Sequence, residues 1–419
     1  MPETSSKPSH KLRISPLCRL ALFLWAFGTV LGSAASIAQW ILHIGGPVRT
    51  LGNLAYILAL PGWVPLYALG FSGVRDHPAG IFAAHALAWG LWVVLLLAAL
   101  KMRWRILDAR FLRSEPADAE PAALPDPGRR RFMCNAALGA AGIATVSSPT
   151  YATLIEPWSI RVRRHTIPIR NLPPALEGLR IAQFSDPHMG PRMPVSFIEQ
   201  AAHLVADMRP DLVLLTGDYI HDGTEEIELA ATVCEPMVAA AGIGTVGVLG
   251  NHDWWGDGCA MSRALTGIGV RMIDNDRVWI DAATRSLTTT PGGESLAVVG
   301  LGDLTEDVID TDRAFSNIEP ATPRIVLAHQ PDTAELGRLT RSGAPRIDLM
   351  CSGHTHGGQV RIPFLGTPIV PSRYGSKYAG GLVQGPAFPV VVSRGIGMSL
   401  LPVRFGVPPE IVEITLTRA

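Results

Sequence analysis

Three nearly uncharged runs, roughly residues 17–42, 51–74 and 79–100, occupy most of the first hundred positions of this chain. Crossing the hydrocarbon core of a bilayer takes about 20 helical residues, and each run reaches that length. "LCRLALFLWAFGTVLGSAASIAQWIL" and "AGIFAAHALAWGLWVVLLLAAL" read as spanning helices, because a soluble core does not call for such runs in succession on short connections. The middle run carries Pro61 and Pro65, which remove backbone donors, so it reads as a kinked span or as a segment that dips in and returns. These spans hold little polar beyond Gln39 and His85, which argues against a channel or transporter.

Residues 101–131 are basic and rich in proline and alanine, and read as an exposed linker. A fourth apolar segment, 132–155, follows. Arg129, Arg130, Phe132 and Met133 resemble the core of a twin-arginine export signal, although Gly128 and Cys134 depart from it, and a final transmembrane helix behind a basic flank is the competing reading. Basic residues before the first run and throughout the linker place both on the cytoplasmic side if an even number of spans lies between them. The remainder of the chain is then extracytoplasmic; if all three early runs span, it turns cytoplasmic instead, with eight basic residues on the wrong side.

Charged residues make up only 17%, and the formal net charge is zero, so bulk charge gives no sign of a nucleic-acid partner. Five scattered cysteines form no C-x-x-C pair, and neither a disulfide framework nor a zinc ribbon is indicated.

From about residue 160 short apolar runs alternate with amphipathic segments, an α/β pattern. Strands are expected at 179–186, 211–218, 243–251, 324–329, 347–353 and 388–394, with a helix at 195–208. Five of these strands end in residues of metal-ligand type: Asp186 and His188, then Asp218, then Asn251, His252 and Asp253, then His329, then His354 and His356. Singly, each is commonly a cap, a turn or a core histidine. Five in order, each flanked by small residues, form a mixed nitrogen and oxygen set suited to Mn, Fe or Zn rather than to a structural thiolate site.

The series D-x-H, G-D, G-N-H-D, H and G-H-x-H resembles the calcineurin-like metallophosphoesterases over about residues 160–419. The run "GHTHGGQVRIPFLGTPIVPSRYGSKYAGGL" is similar to bacterial membrane-associated or exported members. The resemblance implies a four-layer α-β-β-α sandwich over 156–419, preceded by the transmembrane region of residues 1–100. It implies two divalent metal ions, one held by Asp186, His188 and His356, the other by Asn251, His329 and His354, with Asp218 bridging both. His252 is then the proton donor or charge stabiliser, oriented by Asp253. Alternate histidines on one glycine-flanked loop suit ligands that must reach two closely spaced ions. Pro187 departs from the aliphatic residue usual there, at a strand end that tolerates it.

The expected activity is hydrolysis of a phosphodiester or pyrophosphate bond by hydroxide held on the metals, with a lipid or cell-envelope precursor as the substrate class. Trp254 and Trp255 are candidates for the substrate groove, and Arg361, Arg373, Tyr374 and Lys377 for a phosphate. A membrane sensor or scaffold with a non-catalytic phosphoesterase-like domain is the alternative.

Overall fold

The computed structural model describes Ala88, which is helical, and residues 151–419 except Phe364, Leu400 and Leu401. The expected spans, the linker and the arginine pair at 129–130 lie outside the described residues. No helix among the described residues is long and apolar enough to cross a membrane. The chain divides into Met1–Thr150 and Tyr151–Ala419. Residues 151–155 are joined to the second unit by the Arg404 amide, which donates to the Ala152 carbonyl at 2.9 Å.

Two mixed sheets form the second unit. In spatial order the first runs β1 (Arg161–Ile169), β13 (Glu410–Arg418), β2 (Arg180–Phe184), β3 (Leu212–Leu215), β4 (Gly244–Gly247) and β5 (Val270–Met272). Neighbours are parallel except β13 and β2. The second sheet runs β11 (Gly381–Gln384), β12 (Pro389–Val392), β10 (Leu349–Ser352), β9 (Arg324–Leu327), β8 (Ser295–Gly300), β6 (Arg277–Asp281) and β7 (Ser286–Thr288). Its central four strands are parallel and its margins antiparallel. Strands such as LVLL in β3 and, after Arg324, IVL in β9 are buried throughout, which explains why they read as apolar runs rather than alternating ones.

The sheets share a core in which Ile181, Leu214 and Val246 cluster with Ile325, Leu327, Cys351 and Val391. Helices α1 (Val195–Asp207), α2 (Ile227–Ala240) and α4 (Gly258–Gly267) pack on the other face of the first sheet. α1 buries Phe197, Ile198, Ala201, Ala202 and Val205, one stripe at helical spacing. A short helix, α3 (Asn251–Gly256), follows β4.

The fourth layer is thinner than the resemblance implies. Only α5 (Thr311–Ala314), α6 (Gly337–Thr340) and 3-10 turns at Pro331–Glu335 and Gly375–Tyr378 accompany the outer core of the second sheet. The intervening sequence, with Pro320, Pro323, Pro331, Gly337, Gly343 and Pro345, is too interrupted for a long helix.

Candidate metal centre

β2, β3 and β4 are parallel neighbours in one sheet, and β9 and β10 in the other. In α/β sheets ligand sites form beyond the carboxyl ends of such strands. Asp186 and His188 follow β2, Asp218 follows β3, Asn251 follows β4, His329 follows β9, and His354 and His356 follow β10. All but the half-buried His354 are buried.

The turns are tight. Asp186, His188, Asp218, His354 and His356 adopt φ between 48° and 69°. Such left-handed backbone costs a residue with a side chain on the order of 1–3 kcal/mol and persists where the surroundings hold it. Here the Asp186 amide donates to the Gly217 carbonyl at 3.0 Å, the His188 amide to the Asp218 carbonyl at 3.1 Å and the His354 amide to Asp186 Oδ1 at 2.8 Å. A side chain in place of Gly250 would collide with Asp218 Oδ1, and one in place of Gly353 with Ser185 Oγ and Asp186.

The side chains converge in two adjoining groups, Asp186 with His188 and His356, and Asp218 with His329 and His354; within each group the candidate ligand atoms lie within 4.8 Å of one another. Asp218 Oδ2 stands between them, 3.5 Å from His188 Nε2 and 3.1 Å from His329 Nε2. His356 Nε2 lies 2.8 Å from His188 Nε2 and 3.6 Å from Asp186 Oδ1, while His354 Nδ1 lies 3.2 Å from His329 Nε2.

Burial holds His188 and His356 well below the usual imidazole range, helped by the His252 and Arg404 charges respectively. Burial likewise takes His354 down to about 3. These rings are neutral and keep the lone pairs that bind metals. Burial opposes charge on His329 and Asp218 too, but their mutual attraction wins, lifting His329 to about 10 and holding Asp218 well below the carboxylate range. Burial pushes the Asp186 carboxyl up to about 7.

The residues fit divalent cations. The neutral imidazoles of His188, His354 and His356, the carboxyl groups of Asp186 and Asp218, and the buried Asn251 Oδ1, which has no hydrogen-bond partner among the described residues, together offer the mixed nitrogen and oxygen lone pairs such ions take. His329 Nδ1 lies 2.7 Å from the Thr216 carbonyl, which only accepts; its ring therefore donates there and turns Nε2 toward Asp218, as a metal ligand is oriented.

His252 meets this group edge to face, its ring centroid 4.5 Å from that of His188. The orientation by Asp253 implied by the resemblance is corrected by the structure: His252 Nδ1 bonds the carbonyl of His221 instead. Asp253, one residue on in a helix, points elsewhere. It accepts from the amides of Asp218 and Gly250 at 2.9 Å, of Tyr219 at 2.8 Å and of Ile220 at 3.3 Å, and so shapes the Asp218 turn. Burial, with the Asp218 charge, pushes Asp253 up to about 8 against those donors.

The two tryptophans part company: Trp254 packs on the helix-side core, while the exposed Trp255 lies 4.1 Å from His252 between ring centroids. Lys377 is paired with Glu335 at 2.6 Å, and the Arg373 amide is held by Asp332. Tyr374 is exposed near Tyr378. Arg361 lines concavities described below.

The sequence reading missed His221, whose ring stacks on His252 at 5.1 Å and forms a third close group with His188 and His252. Its only signal was a place three residues after Asp218. Arg404 was also missed. Fully buried, it donates to the carbonyls of Arg394, Gly395, Gly397 and Val407 and lies 3.4 Å from His356 Nδ1, bracing the loop after β12 against Asp186.

Residues 179–358 match the family model of the calcineurin-like phosphoesterases. The chain is 31% identical over 291 residues to the metallophosphoesterase YkuE of Bacillus subtilis (strain 168), covering 69% of this chain and 97% of that one. It is 31% identical over 294 residues to the phosphodiesterase YaeI of Escherichia coli (strain K12), covering 69% and 98%. With the UDP-2,3-diacylglucosamine pyrophosphatase LpxG of Chlamydia trachomatis it shares 27% identity over 316 residues, 64% of this chain and 92% of that one. The chain belongs to the calcineurin-like metallophosphoesterase family and is a metal-dependent hydrolase.

Proposed function

We propose that this is a membrane-anchored phosphoesterase that cleaves a phosphodiester or pyrophosphate bond, with a lipid-linked or cell-envelope phosphate as its substrate. Asp186, His188 and His356 hold one divalent cation, and Asn251, His329 and His354 a second, with Asp218 shared. The observation that carries this reading is Asp218 Oδ2 standing between His188 and His329, each in a different ligand group. Bound there, Mn, Fe or Zn ions supply charge to the phosphoryl oxygens and acidify water, chemistry that needs no covalent nucleophile.

The chain's own residues do the rest. His252 donates from Nδ1 to the His221 carbonyl, which leaves Nε2 as the exchanging nitrogen, 3.4 Å from Ser399 Oγ. Protonated at both nitrogens, the ring gives its Nε2 proton to the leaving oxygen and is left neutral with its remaining proton on Nδ1. The Trp255 ring packs beside His252, 4.1 Å between ring centroids. Four apolar segments before residue 150 supply the anchor. A phosphodiesterase and a lipid pyrophosphatase among the relatives support both bond types.

The test is hydrolysis by the full-length protein loaded with Mn. Turnover of an aryl phosphodiester or a nucleotide-linked lipid pyrophosphate is expected, and Asp218→Asn lowers it by at least about a thousandfold. Failure on both substrates removes the reading. Ligand binding that persists without turnover supports a sensor instead.

A further inference from the structure

Away from the metal centre the described unit has a concavity of about 560 Å³ bordered by Tyr151, Arg161, Arg163, Arg361, Pro363 and Phe405. Three pieces of chain meet there. Residues 151–156 are fastened to residues 404–406, through the Arg404 amide to the Ala152 carbonyl at 2.9 Å and the Gly406 amide to Glu156 Oε2 at 2.8 Å. The Arg361 amide in turn donates to the Phe405 carbonyl at 2.7 Å. The turn that follows, closed by the Ile362 amide on the Gly366 carbonyl at 2.8 Å, therefore stands near residues 151–156. The edge strand β1 adds Arg161 and Arg163.

Two chemistries coincide on this patch. Of the eleven exposed large apolar side chains among the described residues, five (Tyr151, Leu154, Ile155, Ile362 and Leu365) belong to these segments, with Leu365 78% exposed. Arg161 and Arg361 have no side-chain hydrogen bond or ion pair among the described residues, and Arg163 only approaches Glu410 at 3.9 Å. The one acid bordering the concavity, Glu156, is committed to the Gly406 amide. Aliphatic groups around an unbalanced arginine cluster match a surface of acyl chains under anionic phosphates. Position in the chain adds an argument: Tyr151, Leu154 and Ile155 fall within the fourth apolar segment, 132–155, which the anchored reading assigns to the membrane.

We infer that this face lies on an anionic phospholipid bilayer, Ile362 and Leu365 entering the headgroup boundary and the arginine-lined concavity receiving lipid phosphates. The inference rests on the membrane-anchored reading above. A second concavity, of about 330 Å³, is bordered by Gly357, Arg361 and Arg394 and shares Arg361 with the first. Gly357 follows the candidate ligand His356, so lipid phosphates at Arg361 sit beside the loop that builds the metal centre.

The test uses the full-length chain in nanodiscs containing phosphatidylglycerol and phosphatidylcholine. Cys18, Cys134 and the exposed Cys259 are replaced by Ser, and a nitroxide is attached after Leu365→Cys or, as an aqueous reference, Val308→Cys, whose native side chain is 76% exposed. At position 365 collisions with oxygen should dominate over those with a water-soluble nickel chelate, and the reverse should hold at 308. Arg361→Gln should lower enrichment of phosphatidylglycerol among bound lipids by roughly fivefold. A label at 365 as accessible to nickel as that at 308, or an unchanged enrichment, overturns the inference. Alkaline carbonate extraction separates the two failures: release of the chain removes the anchor reading, whereas a retained chain with an aqueous label removes only the docking face.

Discussion

His252 and Asp253 are neighbours in the chain with separate tasks. The His252 ring is turned by a backbone carbonyl and presents Nε2 beside Ser399, whereas the Asp253 carboxylate receives four backbone amides under Asp218 and Gly250. His252→Gln should leave metal content intact and lower kcat by about 10²–10⁴-fold. The loss should be smaller for a nitrophenyl ester, whose leaving group needs no proton, than for an alkyl ester, and equal losses would remove the proton-donor role. Asp253→Asn turns an NH₂ group against two of those amides, costing about 2–4 kcal/mol of stability in chemical denaturation and loosening the Asp218 turn. Metal stoichiometry should fall with it; unchanged stability would show that the carboxylate does not organise the turn.

Among the elements, β1 and β13 pair over nine residues although they come from opposite ends of the unit. Glu413 on β13 receives Arg164 at 2.7 Å from one side and Arg180 at 2.8 Å from the other. Burial alone would raise its pKa, but hydrogen bonds from the two arginines hold it below the usual 4.5. A depressed folded pKa makes the contribution to stability fully present above the unfolded value and lost as pH falls through the folded one. Glu413→Gln should therefore cost about 1 kcal/mol at pH 7 and almost nothing once the pH has fallen below the depressed folded pKa, measured by urea unfolding. A cost independent of pH would mean that packing, not the ion pairs, is responsible. The buried parallel strands were legible because LVLL is wholly apolar and RIVL and LMCS carry a polar residue only at one end, Arg324 and Ser352. The β1–β13 pair was not, since β1 mixes exposed arginines with only two buried positions and its partner lies about 250 residues away.

For the whole molecule, the residues at the strand ends were readable because each metal-ligand type stands directly after a buried run. What escaped was set by tertiary geometry: the carbonyl that orients His252, the buried Arg404, and the thin fourth layer. The basic linker and the proline-broken second run together predict an extracytoplasmic catalytic unit. Alkaline phosphatase fused after Ala419 should be active, and a fluorescent protein that matures only in the cytoplasm should stay dark. The opposite pair of results would make the Pro61–Pro65 segment a true span and place the metal centre inside.

Five of the seven candidate ligands sit in left-handed turns, so the centre restricts how this sequence can drift. Asp→Asn at 186 or 218 keeps a side chain that tolerates the backbone while discarding the charge, whereas a β-branched replacement adds a backbone penalty to the lost ligand. Duplicated copies that lose hydrolysis yet keep the fold should therefore carry asparagine or glycine at these turns. Such a signature would distinguish a domain retired from catalysis under selection for folding from one that is simply decaying.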